Sequence, residues 1–185
     1  MVVSREQIAA AALRHLNQSP TASMEEIARA AGVSRATLHR HFATRDELVS
    51  ALGWRAMEYW ERAQKQAGVA EAIESGDPRT LEAALHALVI GQAEIADEHG
   101  FTLTANSLLD DAALMRRIDE LEELELKLFA ACQRAGILRA DLPVRWISNT
   151  LYGLLVAAVE SLRRGDVARR DLSRLLLETF LRGTA

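Results

Sequence analysis

The sequence predicts an all-α protein of about nine helices, arranged as a small N-terminal three-helix head and a larger C-terminal helical body. Three observations lead there. Apolar residues make up 49% of the 185 and are mostly Ala and Leu, which favour helix, and no alternating Val/Ile/Thr run of the strand type occurs. Glycine (10) and proline (3) are scarce. Helix starts recur: Ser4-Arg5-Glu6-Gln7, Ser23-Met24-Glu25-Glu26 and Thr44-Arg45-Asp46-Glu47 each place a hydroxyl three residues before Glu or Gln, the spacing of a capping box.

Taken in order, a first helix is expected near 4–17, closed by Asn17-Gln18-Ser19-Pro20, and a second near 24–31, closed by Gly32. A third follows near 35–42, with Ser34 placed to cap it, and a fourth near 45–67, stopped at Gly68. Asp77-Pro78 offers an N-cap followed by proline at the first helical position and opens a helix near 78–98 that Gly100 is expected to stop. A short helix near 102–108 comes next. Long helices near 110–135, closed by Gly136, and 143–164, closed by Gly165, precede the last one near 168–182. The division falls at residue 46, giving a head over 1–46 and a body over 47–185, bridged by the fourth helix.

Net charge is −4, which taken alone argues against a polyanion as partner. Its distribution reverses that reading. Residues 1–50 hold six Arg against five acidic groups, and no Asp or Glu lies between Glu26 and Asp46, where Arg29, Arg35, Arg40 and Arg45 sit with His39 and His41. One cysteine, Cys132, excludes an intrachain disulfide and a cysteine-based zinc cage. No signal peptide is expected from the opening residues. The longest apolar run, Leu151–Val159, is far short of the roughly 20 residues a membrane helix needs. A cytoplasmic protein without membrane attachment is expected.

On a helical wheel over 35–42, Leu38 and Phe42 fall on one side, to be met by Ile27, Ala28 and Val33. Arg40, Ala36 and Thr37 occupy the opposite face, with His39 and His41 on its flanks, and Arg35 lies in the first turn. One side therefore anchors the helix and the other presents Arg and small residues to a grooved anion. A helix, the turn Ala30-Ala31-Gly32-Val33-Ser34 and a second helix form a helix-turn-helix pattern, whose second helix enters the DNA major groove. Arginine reads guanine there, and flanking polar groups hold phosphates.

The run ASMEEIARAAGVSRATLHRHFATRDELVSAL resembles the DNA-binding head of TetR-family (tetracycline-repressor-like) transcriptional regulators over about residues 4–52. The resemblance implies that Arg35, Ala36, Thr37 and Arg40 face the bases of double-stranded DNA, and that Ser23, His39, His41 and Arg45 hold phosphates. His39 and Ala36 depart from the family's usual Tyr and Gly.

The helix near 143–164 is apolar nearly all round. One stripe is Ile147, Leu151, Leu154, Ala158 and Leu162. A second is Trp146, Asn149, Tyr152, Gly153 and Val156. With Leu172, Leu175, Leu176, Thr179 and Phe180 of the last helix, this suggests a homodimer interface built from Leu151, Leu154, Ala158, Leu162, Leu172, Leu175, Leu176 and Phe180. In TetR-like regulators the last two long helices form such a four-helix bundle, and two paired heads read a palindromic operator. On the stripe Leu81, Leu85, Leu88, Gln92, Ile95, the lone polar member is Gln92. Gln92, Asn149 and Tyr152, with Phe101, Met115 and Trp146 as walls, are candidates for a pocket that takes a small, largely apolar effector, as the resemblance implies. The effector would move the fourth helix and respace the heads, releasing a repressor.

Other classes fit less well. None of the five histidines has a glutamate three residues before it, and there is no His-x-x-x-His pair, Gly-x-Ser-x-Gly elbow or phosphate loop. No enzyme activity and no cofactor or metal is therefore expected. The acids Glu120, Glu122, Glu123 and Glu125 read as a solvated face beside the inward Leu114, Ile118, Leu121 and Leu128. A helical protein-interaction adaptor is the alternative function. It would explain the body but not the acid-free, Arg-bearing third helix.

Overall fold

The computed structural model describes residues 3–185. The described residues form nine α-helices and one 3-10 turn, with no strand. The head contains α1 (Arg5–Gln18), α2 (Met24–Ala30) and α3 (Arg35–His41), and α4 (Arg45–Gln66) leads from it into the body. The body holds α5 (Val69–Ser75), α6 (Pro78–Leu103), the 3-10 turn Asn106–Asp110, α7 (Ala112–Arg134), α8 (Val144–Arg164) and α9 (Arg169–Thr184).

The starts obey local chemistry. Ser4 and Ser23 each close a full capping box with Gln7 and Glu26. At Thr44 half of the box forms: its hydroxyl accepts from Glu47 N at 3.1 Å, while the Glu47 carboxylate takes the Ala43 N–H at 2.8 Å. Asp77 caps α6 through Thr80 N, with Pro78 at the first position.

Two expectations are corrected. The segment after Gly68 is a further helix, α5, enclosed by Gly68 (φ +65°) and Gly76 (φ +63°). It opens on Gly68 without a side-chain cap to announce it, but Val69 and Ala72 are fully buried, and that packing stabilises so short a helix. Gly100 does not stop the helix before it. α6 continues to Leu103 through a kink at His99 (φ −114°, ψ 17°). Gly100 is instead a point of close approach: a β-carbon there would lie 2.7 Å from both methyl carbons of Val159 on α8.

Apolar side chains form two cores. One joins α5 to α9, through Leu85, Leu88, Leu128, Phe129, Ile147, Leu151, Leu172, Leu176 and Phe180. The other fills the head, with Ile8, Leu16, Ile27, Leu38, Phe42, Leu48, Val49 and Leu52, and it also takes in Phe101, Leu108 and Leu114. The first two turns of α4 thus lie in the head's core, past the 46/47 division. Three residues distant in sequence complete that core. Gly53 lets α4 come close to these residues, since a β-carbon at Gly53 would meet Leu114 at 2.8 Å and Leu108 at 2.9 Å.

Candidate nucleic-acid interface and internal cavity

The turn between α2 and α3 is held by its backbone. Gly32 has φ +67°, its N–H bonds Arg29 O at 3.1 Å, and Val33 N bonds Ala28 O at 3.0 Å. This is a helix end that glycine accommodates without steric cost. Ser34 then caps α3 by accepting from Thr37 N at 3.1 Å. Leu38 and Phe42 are fully buried as their spacing requires. The opposite side of α3 is open, with Arg35, Ala36 and Arg40 exposed. Arg40 forms no ion pair or side-chain hydrogen bond among the described residues.

The structure divides the expected phosphate set. Ser23 is exposed, with its hydroxyl in the α2 cap, donating to Glu26 at 2.8 Å. His39 is half-buried and donates from Nδ1 to the Ala43 carbonyl at 3.1 Å, while its Nε2 accepts from Arg35 at 3.4 Å. His41 is half-buried, and its Nε2 is enclosed without a partner. Thr37 shares a 2.9 Å hydrogen bond with Ser34. Arg45 is committed elsewhere: it donates to Pro20 O at 2.7 Å and Ala22 O at 3.3 Å, and its guanidinium lies over the Phe101 ring at 6.0 Å. These partners tie the α1–α2 connection to α4.

Within the body, α4, α6, α7 and α8 line a partly open cavity of about 380 Å³, and the segment Thr102–Leu109 contributes to its wall. Of the six expected pocket residues, Gln92, Met115, Asn149 and Tyr152 line it. Phe101 and Trp146 do not. Phe101 is buried in the head's core, because the kink at His99 swings it toward Arg45. Trp146 projects outward from α8 and is 59% exposed. Tyr152 donates to the Leu103 carbonyl at 2.7 Å, joining α8 to the end of α6.

Glu125 overturns the solvated reading of its acidic cluster. It is 3% exposed and lines the cavity. Its Oε1 accepts from the Trp60 indole and from the side-chain amides of Gln64 and Gln92. Loss of water pushes its carboxyl up to about 7, and the three donors oppose that rise only in part. Glu122 is half-buried, bound by Arg145 at 2.9 Å and Ser148 at 3.1 Å. The spacing held a signal for Glu125, which stands four after Leu121 and three before Leu128 on the inward stripe. His99 is also buried in the cavity wall, its ring 4.6 Å from that of Tyr59, and its Nδ1 has no partner. Burial, with Arg55 adding repulsion, lowers it to about 4.

The expected dimer set is corrected by burial. Leu151, Leu172, Leu176 and Phe180 are at most 4% exposed and Ala158 only 9%, so all five fill the chain's own core. Leu154 and Leu162 are half-buried against the same core. Of the eight, Leu175 is exposed. The stripes on α8 and α9 are apolar as expected, and five of the eight residues pack within the chain itself. Gly153 and Ala157 are open, and a β-carbon at Gly153 would meet nothing within 4 Å.

A three-helix head with an exposed arginine on its second motif helix, joined by one long helix to a body with an internal cavity, defines a helix-turn-helix DNA-binding transcriptional regulator. Residues 8–52 match the family described as bacterial regulatory proteins, tetR family. The HTH-type transcriptional regulator NfxB of Pseudomonas aeruginosa is 31% identical over 169 residues, covering 90% of this chain and 86% of that one. The HTH-type transcriptional repressor LfrR of Mycolicibacterium smegmatis is 29% identical over 164 residues, covering 88% and 80%. The crystal structure of LfrR in complex with proflavine superposes with a TM-score of 0.74 at 25% identity, covering 95% of this chain and 93% of that one. AibR in complex with isovaleryl coenzyme A and operator DNA shares the fold at a TM-score of 0.68 and 16% identity, covering 96% and 95%. The chain belongs to the tetR family of bacterial regulatory proteins. It is a DNA-binding transcriptional regulator and not an enzyme.

Proposed function

We propose that this regulator is a cytoplasmic homodimeric repressor, released from a palindromic operator when a small, largely apolar effector enters the body cavity. The observation that carries the reading is a shared wall. Leu108 and Leu114 line the cavity and are also members of the head's buried core. An occupant that displaces either one strains the packing beneath α3, and a close-packed core transmits such strain rather than absorbing it. Gly53 of α4 lines the same space, so the helix that carries the head lies directly against the occupant.

Arg40, Arg35 and Ala36 are the groups assigned to the base edges. The heads of a dimer would sit about 34–36 Å apart to read successive major grooves. The open, small-residue face at Gly153 and Ala157 of α8 and the exposed Leu175 and Thr179 of α9 support a helix-to-helix dimer. LfrR is named a repressor and was crystallised with a small aromatic molecule, which agrees with this reading. The test begins with selection of sites from a random duplex library at two salt concentrations. A palindrome whose affinity falls steeply with salt is expected, and an apolar compound that stabilises the protein should release it. No enrichment at low salt would overturn the reading.

A further inference from the structure

Glu125 is a costly group to place in this cavity. Its three hydrogen-bond partners, Trp60, Gln64 and Gln92, are all neutral and all converge on Oε1. Its Oε2 receives no hydrogen bond, and neither oxygen pairs with a cation, among the described residues. Arg145 of α8, the basic group on the adjoining side, is taken by Glu122. A carboxylate held in low dielectric without a counter-charge loses several kcal/mol of hydration. The apolar and aromatic part of the wall includes Met57, Trp60, Ile95, Met115, Ile118 and Leu155, and beside it lie neutral polar groups such as Ser148 and Asn149.

We propose that the effector is an organic cation with a flat apolar body, its charged nitrogen bound by Glu125 Oε2. This rests on the reading of the cavity as the effector site. The ammonium or amidinium supplies the counter-charge the protein omits, and the indole of Trp60 adds a face that attracts cations. The thioethers of Met57 and Met115 are soft, adaptable contacts for a ring system. His99, seven residues after Gln92 along α6, lies about 10 Å further on and also lines the cavity, with its Nδ1 enclosed. His99 does not neutralise Glu125 itself, because burial and Arg55 hold it uncharged at neutral pH. The titratable groups around Glu125 are therefore Glu122 on its own helix, His99 on α6 and Arg145 on α8, while α4 presents the neutral Trp60 and Gln64.

The experiment is fluorescence titration of the full chain with proflavine, a planar cation at pH 8, and with acridine, the same ring skeleton uncharged at that pH. Wild type should bind proflavine at least about tenfold tighter than acridine. Glu125→Gln keeps the acceptor for the three donors and should abolish that preference, leaving acridine within about twofold. With the carboxyl near 7, lowering the pH from 8 to 6 should weaken proflavine binding roughly tenfold in wild type and little in the variant. If Glu125→Gln failed to fold, the wild-type pH profile alone would decide. Acridine bound as tightly as proflavine, with operator release intact, would overturn the cation assignment and leave the effector reading standing. Binding of neither compound by the folded protein would overturn the assignment, and release of operator by other apolar compounds would still test the effector reading separately.

Discussion

The side-chain amide of Asn17 holds the peptide N–H of Phe101, accepting it at Oδ1 over 2.8 Å while donating from Nδ2 to the Glu98 carbonyl at 2.8 Å. These two peptide groups flank the kink at His99. A head side chain from α1 therefore bonds the backbone of α6 on both sides of its bend. Arg45 of α4 reaches the same corner and lies over the Phe101 ring. Head and body are thus joined by hydrogen bonds at the point where the cavity-lining helix bends.

Asn17→Ala should remove both hydrogen bonds and destabilise the protein by about 1–3 kcal/mol. It should also weaken the link between effector and operator. Denaturant unfolding measures the first effect, and effector-dependent operator release the second. A variant as stable as wild type would show that water replaces the amide without loss.

Gly100→Ala should cost about 1–3 kcal/mol, because the added methyl meets the stiff, branched Val159 at 2.7 Å. Val159→Ala in the same chain should recover part of that loss by opening the space. Thermal unfolding of the single and double variants reads the coupling, and simple additivity would contradict the close approach of α6 and α8.

Stability should depend on pH through two opposed groups. Glu125, at about 7 against its usual 4.5, binds more protons folded than unfolded, so its contribution falls as pH rises through that interval. His99, at about 4 against 6.5, binds fewer protons folded than unfolded, so its contribution rises with pH over that range. Between about 4.5 and 6.5 the two offset one another. Glu125→Gln should remove one slope, so that stability climbs with pH up to about 6.5 and exceeds wild type at pH 8 by about 2–3 kcal/mol. Urea unfolding at pH 5, 6.5 and 8 measures this, and a variant less stable than wild type at pH 8 would contradict the cost assigned to the buried carboxylate.

Arg40→Ala should leave the fold intact, since the side chain is exposed and unpaired among the described residues. It should lower preference at one base position of the selected operator by about 1–3 kcal/mol. Competition binding against single-base operator variants reads the effect. Unchanged discrimination at every position would remove Arg40 from the base-reading set.

Much of the head is local in origin and was legible in order of residues. Ser23, Ser34 and Thr44 cap the helices they precede, Gly32 makes the turn, and Leu38 and Phe42 go inside. Each outcome depends on partners within four or five positions or on a helical period. The body was less legible. α5 was missed because it opens on Gly68 with no side-chain cap, where the equally short α2 and α3 open on Ser23 and Ser34, and Gly100 was misread as a stop because a glycine that admits Val159 is identical in sequence to one that ends a helix.

What the sequence by itself determined is every helix but α5, the apolar stripes on the long ones and the acid-free arginine face of α3, because these follow from side-chain chemistry at fixed spacing along one chain. Only the tertiary structure decided what each stripe meets. It placed Leu151, Leu172 and Phe180 in the chain's own core, Phe101 in the head, Arg45 on backbone carbonyls and Glu125 in a cavity facing Gln92 and Trp60. A stripe records that a face leaves water but not which face receives it. A carboxylate's charge at neutral pH depends on the water it loses, and the positions of residues 33 and 65 places away from Glu125 set that loss.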